Sequence, residues 1–307
     1  MTEQPGPLIV IGGHEDKTGK RVILGKVAKR LQGGRLVVAT VASHEPEGYF
    51  DGYKAAFEAL GATNLVELYV RDRADTLSPD LLTSLDGAAG VFFTGGDQLR
   101  ISSQIGDTPV EHAVRRIHAS GGVVAGTSAC ASVMSDTMLV RGSSAESHRI
   151  GDLHMAPGLG LITGVIIDQH FAERGRIGRL LGAVAQNPRV LGIGIDEDTA
   201  IVVEGDGFKV LGGGGVYVVD GAGVTHSNIA AAKPDRALSI YDVRMHVLRG
   251  GDRFSLQDRR PAEAPAEADS HHLAVASARC PSAPGQASAV ATPSEKRSSP
   301  QTARSDL

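Results

Sequence analysis

The chain has no tryptophan, and aromatic residues make up only 4% of its 307 positions. Base stacking on aromatic platforms has little to build on here, and a formal charge of −4 offers no general attraction to phosphate, so nucleic acid is not an expected partner. Cysteine is equally scarce. Cys130 and Cys280 are the two present, which excludes a disulfide framework and fits a reducing compartment. No apolar run approaches the roughly 20 residues that span a bilayer. The opening Met-Thr-Glu-Gln-Pro-Gly-Pro also lacks the basic and apolar regions of a secretory signal. No membrane partner and a cytoplasmic location are therefore expected. What is present, 41% hydrophobic and 21% charged, is ordinary for a globular chain long enough to bury a full core.

The stretch Gly121 to Ala131, Gly-Gly-Val-Val-Ala-Gly-Thr-Ser-Ala-Cys-Ala, stands out. A buried apolar run enters small residues, and an apolar helical segment follows. This is the pattern of a nucleophile elbow, a strand-to-helix turn that lifts a serine clear of the sheet and leaves the next backbone N–H at a helix N-terminus. Ser128 is the candidate nucleophile. From this stretch alone a plain helix N-cap remains the alternative.

Strand and helix alternate before it. Leu8–Ile11, Leu36–Val41, Leu65–Val70 and Gly90–Phe93 read as strands, and Val22–Leu31, Gly48–Leu60, Pro79–Leu85 and Pro109–Ala119 as helices. That rhythm predicts an α/β fold with a mostly parallel central sheet, helices on both faces, and binding groups at the carboxyl ends of the strands. The run His14 to Arg21 only superficially resembles a phosphate loop, because the glycine and hydroxyl residue that a P-loop requires are replaced by His14 and Arg21. Gly95-Gly96, ending the fourth strand, permits the close backbone approach that a second oxyanion donor needs, although a simple tight turn explains it too.

After the elbow, the segments around 141–148 and 155–161 read as loops. Val165–Ile167 is a short strand ending in Asp168-Gln169-His170-Phe171, which places His170 as a candidate base for Ser128 or else as a core histidine bonded to backbone. Arg174, Arg176 and Arg179 follow on the helix Ile177–Ala185; such a run is usually a solvated face, but beside a His and a Ser it suits carboxylate binding. Val190–Ile195 ends in Asp196-Glu197-Asp198, one of which could orient the histidine. Neither an oxygen-ligand loop nor a histidine pair at metal spacing supports a metal, so no metal and no cofactor are expected. Ala200–Val203, Phe208–Leu211 and Val216–Val219, separated by Gly-rich turns, predict C-terminal antiparallel hairpins finishing the sheet, with Leu238–Leu248 as the last strand-like run. From about residue 257 the composition shifts to Ala, Pro, Ser, Glu and Arg without aromatics. The expected division is therefore one domain over 1–256 and a disordered tail over 257–307, in which His271-His272 is incidental.

Taken together, Gly12-Gly13-x-Glu15-Asp16-Lys17, Gly95-Gly96-Asp97-Gln98, Gly126-Thr127-Ser128-Ala129, Asp168-Gln169-His170-Phe171, the three arginines and Gly192-Ile193-Gly194-Ile195-Asp196-Glu197 resemble the cyanophycinases of serine peptidase family S51. The resemblance spans about the first four-fifths of the chain. It implies a fold similar to class I glutamine amidotransferases (flavodoxin-like) and a homodimer. It also implies hydrolysis of cyanophycin, a poly-aspartate carrying isopeptide-linked arginine, to β-Asp-Arg dipeptides. Ser128 is then the nucleophile, His170 the base and Glu197 the third member. Gln98, Asp168, Gln169, Arg174, Arg176 and Arg179 are substrate-binding candidates, and the N–H groups of Gly96 and Ala129 hold the oxyanion. The family usually has glycine where this chain has Cys130, whose place two residues into the helix points it away from the apex. Two alternatives stand beside this reading: an aspartyl or isoaspartyl dipeptidase with the same triad, and a non-catalytic binding protein on the same fold.

Overall fold

The computed structural model describes residues 4–142, 149–230 and 236–262. Its strands, in chain order, are β1 Leu8–Ile11, β2 Leu36–Ala39, β3 Leu65–Leu68, β4 Gly90–Phe93, β5 Val123–Thr127, β6 Thr137–Arg141, β7 His154–Pro157, β8 Val165–Gln169 and β9 Leu191–Ile195. They continue with β10 Thr199–Glu204, β11 Gly207–Gly212, β12 Val216–Asp220, β13 His226–Ser227, β14 Ile240–Tyr241, β15 Arg244–Leu248, β16 Arg253–Ser255 and β17 Arg260–Ala262. The helices are α1 Val22–Leu31, α2 Tyr49–Glu58, α3 Pro79–Leu85, α4 Gln98–Ile105, α5 Pro109–Ala119, α6 Ala129–Val133 and α7 Ile177–Gln186.

A nine-stranded sheet runs β17-β16-β11-β10-β1-β5-β4-β2-β3. Its strands β3, β2, β4, β5 and β1 are parallel, and β10, β11, β16 and β17 extend it antiparallel. The inner parallel strands β1, β2, β4 and β5 are buried along their whole length because both faces are covered, whereas edge strand β3 exposes Glu67, and the two-residue side-chain period sorts the buried residues. Ile9, Ile11, Leu36, Val38, Phe92, Val123 and Ala125 pack with α1 and α2. Val10, Val37, Ala39, Val91, Phe93 and Val124 face the other way, onto Ile101 and Ile105 of α4 and Val110, Val114 and Ile117 of α5. Helices thus cover both faces, as the alternation predicts.

The expected single sheet is divided: among the described residues two larger sheets stand beside the two-stranded pairs β6-β7 and β13-β14. β12 does not continue the hairpin of β10 and β11. The glycines at 212–215 turn the chain away, and β12 pairs with β9 and β15 in a four-stranded sheet of order β15-β12-β9-β8. The segments read as loops around 141 and 155 contain paired strands: Thr137 faces Pro157 and Leu139 faces Met155, with a register shift between Leu139 and Arg141. That irregularity removes the clean alternation that marks a strand in sequence. The remainder of the first loop, 143–148, lies outside the described residues.

The chain divides into a unit spanning Met1–Pro265 and a second spanning Ala266–Leu307. The first extends past the expected boundary at 256: β17 pairs with β16, and Arg259 Nη1 donates to the buried Asp220 carboxylate at 2.9 Å. The rest of the expected tail, with His271, His272 and Cys280, lies outside the described residues. No helix among the described residues is long and apolar enough to cross a membrane.

Candidate active site

Five loops leave the carboxyl ends of strands and meet at the seam between the two sheets, where binding groups gather in open α/β folds. They follow β1 (His14), β4 (Gly95 and Gly96), β5 (Ser128), β8 (His170) and β9 (Asp196 to Asp198). Backbone bonds stitch the seam. His170 N–H donates to Gly12 C=O and Asp198 N–H to Gly13 C=O, both at 2.8 Å, while within the nine-stranded sheet Ser128 N–H donates to Ile11 C=O at 3.0 Å.

Ser128 sits at φ 56°, ψ −121°. A non-glycine residue there carries strain of order 1–3 kcal/mol, the cost of holding the hydroxyl at the apex of the elbow. Its side chain makes no N-cap bond to α6, so the capping alternative is set aside. Oγ instead lies 2.7 Å from His170 Nε2, and His170 Nδ1 lies 2.6 Å from Glu197 Oε1. Of the three acids after β9, Glu197 is the one on the histidine. Asp196 braces the loops instead, accepting from Ala172 N–H and Gly215 N–H, both at 2.9 Å. The third, Asp198, accepts from Asp16 N–H at 2.9 Å.

Two glycines make the alignment possible. A Cβ on Gly13, at φ +111°, would stand 2.3 Å from His170 Cε1, so the ring occupies the space a side chain would take. A Cβ on Gly194 would meet Phe171 Cδ2 at 2.5 Å, and Phe171 is the neighbour that anchors His170 against β9. Beneath the elbow, the buried Glu15 accepts from Thr127 Oγ1 at 2.5 Å and from Tyr53 Oη, with Lys17 Nζ at 3.4 Å. Glu15 therefore locks the β5 end to α2.

Burial pushes His170 below the ordinary histidine range, opposed by its bond to Glu197. Burial acts to raise the Glu197 carboxyl, but the bonds from His170 and His14 outweigh it and hold the group below its ordinary value. His170 is thus set to be a neutral base beside an ionised carboxylate. Burial also pushes the Cys130 thiol well up, and its Sγ donates to Thr94 C=O at 2.6 Å inside the core. The thiol is taken up inside the core and has no thiolate character.

The substrate-binding candidates fall into two groups. Asp168 is fully buried and receives Arg179 Nε at 2.6 Å, Arg179 Nη2, Arg176 Nη1 at 3.2 Å and Gln169 N–H at 2.9 Å. Arg176 also bonds the Gln169 side-chain oxygen at 2.5 Å. Arg176 and Arg179, only 7% and 6% exposed, are therefore held inside the protein by Asp168, whereas Arg174 is exposed. Gln98 donates to Leu139 and Val140 C=O at 3.0 and 3.2 Å, fixing the start of α4 to β6. The Gly95 and Gly96 loop reaches the serine: a Cβ on Gly95 would lie 3.3 Å from Ser128 Cβ. Ala129 is the first residue of α6.

His14 carries no motif in the sequence beyond standing where a phosphate loop would need glycine. Its Nδ1 lies 2.7 Å from Glu197 Oε2. Among the described residues, donor atoms of His14, His170 and Glu197 lie within 4.8 Å of one another. They are taken up by hydrogen bonds to each other and to Ser128, the arrangement of a proton relay.

A strained serine, a buried imidazole and a carboxylate in bonded series, on an α/β sheet, define a hydrolase of the serine type. The chain belongs to peptidase family S51, whose model matches residues 8–211. It is 43% identical over 256 residues to the cyanophycinase of Trichormus variabilis, covering 82% of this chain and 86% of that one. It is 38% identical over 258 residues to that of Geminocystis herdmanii, covering 83% and 95%. The crystal structure of a peptidase from an acI-B1 Actinobacterium superposes with a TM-score of 0.61 at 22% identity, covering 83% of this chain and 98% of that one, which is a likeness of fold.

Proposed function

We propose that the chain is a cyanophycin-degrading serine peptidase with Ser128, His170 and Glu197 as its triad. The observation that carries the reading is the unbroken series from Ser128 Oγ through His170 to Glu197, at 2.7 and 2.6 Å. His170 Nε2 takes the Ser128 proton as Oγ attacks a peptide carbonyl. The tetrahedral oxyanion is held by the N–H groups of Ala129 and Gly96, and the protonated His170 then returns its proton to the leaving amine. Water, activated by the same base, attacks the acyl-serine and releases the product. No metal or organic cofactor enters these steps.

The substrate class is supported by relatives called cyanophycinase that match most of the chain and by charge beside the relay. Asp168 holds Arg176 and Arg179 inside the protein, whereas Arg174 is exposed and close enough to His170 to disfavour its imidazolium. A guanidinium open to solvent beside the relay suits an aspartate polymer, with Gln98 and Gln169 as further contacts. Further parts of the reading are a class I glutamine amidotransferase-like (flavodoxin-like) arrangement, a cytoplasmic location, a tail beyond the paired strands, and a homodimer. Exposed Tyr241, Met245 and Val247 on β14 and β15 support the last.

Incubation with purified cyanophycin, followed by mass spectrometry of the soluble products, tests the reading. Release of β-Asp-Arg is expected. Cleavage of free aspartyl or isoaspartyl dipeptides with the polymer left intact would assign the sibling dipeptidase activity, and no cleavage of either would leave a binding protein.

A further inference from the structure

The triad uses one oxygen of Glu197, and the other is also occupied. His14 Nδ1 lies 2.7 Å from Oε2 while His170 Nδ1 lies 2.6 Å from Oε1, and the two rings meet edge to face with centroids 5.1 Å apart. A carboxylate only accepts, so Nδ1 of His14 carries a proton in this contact whether its ring is neutral or charged. The His14 side chain is largely exposed, and its place is set by its backbone. His14 holds a left-handed backbone, φ 47°, on a loop stapled to the Glu197 loop on both sides: Asp198 N–H bonds Gly13 C=O at 2.8 Å, and Asp16 N–H bonds Asp198 Oδ1 at 2.9 Å.

A glutamate carboxyl turns readily about its last torsion, where no sharp rotamer wells exist. The Glu197 side chain is one-quarter exposed, so packing alone does not hold it. We propose that His14 is a positioning residue for the reaction: by bonding the second carboxylate oxygen it clamps Glu197, which keeps the first oxygen on His170 Nδ1 and the imidazole on Ser128. The inference rests on the triad reading and adds a fourth member that acts only through Glu197.

The other charged groups facing this set are Glu173, whose Oε1 accepts the Glu197 N–H at 3.2 Å, and Arg174 and Arg176, which disfavour the imidazolium. None of them is altered by substituting His14, so a changed pH profile reports the clamp. Losing the His14 bond lets the Glu197 carboxyl rise toward its ordinary value. It also loosens the hold of that carboxylate on His170 Nδ1, which is the interaction that favours the imidazolium. The acid limb of activity, set by His170, therefore moves to lower pH.

Two variants suit the left-handed backbone and so separate the side chain from strain: His14→Gly removes the donor, and His14→Asn replaces Nδ1–H with an amide N–H. Steady-state kinetics on cyanophycin are expected to show kcat of His14→Gly down roughly tenfold, in line with the cost of a loosened catalytic group. KM should stay within about twofold and the acid limb should move down. His14→Asn should recover most of the loss. Wild-type kcat and pH profile in His14→Gly, a loss confined to KM, or equal losses in both variants would overturn the proposal. Ser128→Ala assayed alongside separates the two levels: turnover by that variant removes the triad reading itself, whereas an inactive Ser128→Ala beside a normal His14→Gly removes only the clamp. If His14→Gly does not fold, the rate of fluorophosphonate labelling in His14→Asn against His14→Asp, which lacks a donor, gives the same comparison, and equal rates would overturn the clamp.

Discussion

At the scale of single residues, burial and hydrogen bonding decide which groups react and which support. His170 must be neutral to accept the serine proton, and burial lowers its proton affinity. Activity therefore persists to lower pH than an exposed histidine would allow, and is lost as pH falls through the depressed value. The rising limb of kcat/KM against pH is expected below the ordinary histidine range, and a limb above it would contradict the assignment. The arginines divide in the same way. Removing Arg179 takes its two guanidinium bonds from the buried Asp168 carboxylate and leaves Arg176 Nη1 and the Gln169 N–H, so Arg179→Met should cost about 1.5–3 kcal/mol of stability, read as a lowered denaturation midpoint. Arg174 is exposed, so Arg174→Ala should keep the wild-type midpoint. It should lower kcat/KM on cyanophycin while sparing a neutral peptide ester. Equal behaviour of the two variants in both assays would refute this division.

At the scale of elements, the site is a set of strand ends brought to one seam, and its tolerances are those of backbone approach. Gly13 has no room for a side chain because His170 occupies it. Gly13→Ala should push the ring off Ser128 and lower kcat by at least about a hundredfold, since displacements of about 1 Å have that effect. A crystal structure of the variant should show the imidazole moved, and full activity would contradict the packing account.

Much of this scale was legible in the sequence. β1, α1, α3, β4 and α5 match the predicted spans because their apolar residues repeat at a clean strand or helix period and turn residues bound them. Ser128 and His170 were visible as residues at strand ends. Other features were not. α4 hides behind its entry loop, where Gln98 and Leu99 show no helical stripe and only Asp97, capping Leu99 N–H at 2.8 Å, marks the start. β6 and β7 hide behind an irregular register. The Asp168 pairs join residues 8 and 11 apart in sequence through a loop, so nothing in the local pattern separates buried arginines from a solvated face. His14 and Glu197 meet only because two distant loops are stapled together, which no spacing rule encodes.

At the scale of the whole molecule, the ordered framework closes with the pairing of β16 and β17 and the Arg259 bond to Asp220. A chain ending at Ala262 is therefore expected to keep the thermal midpoint and kcat/KM of the full chain, as compared by calorimetry and assay. A chain ending before Arg259 should lose stability, because the carboxylate of Asp220, 1% exposed, would lose its close guanidinium and keep the Ala222 N–H at 3.0 Å and Arg244 Nη1 at 3.8 Å. Equal stability of the two truncated chains would contradict this closure.

The central claim is that this framework presents one activated nucleophile, Ser128, with Cys130 two residues away buried and inert. Labelling the full chain with a fluorophosphonate probe, followed by peptide mapping by mass spectrometry, tests it most directly. One adduct is expected, on Ser128, absent from Ser128→Ala and strongly reduced in His170→Ala, with activity lost in proportion to labelling. An adduct on another residue, or inactivation that persists in Ser128→Ala, would contradict it.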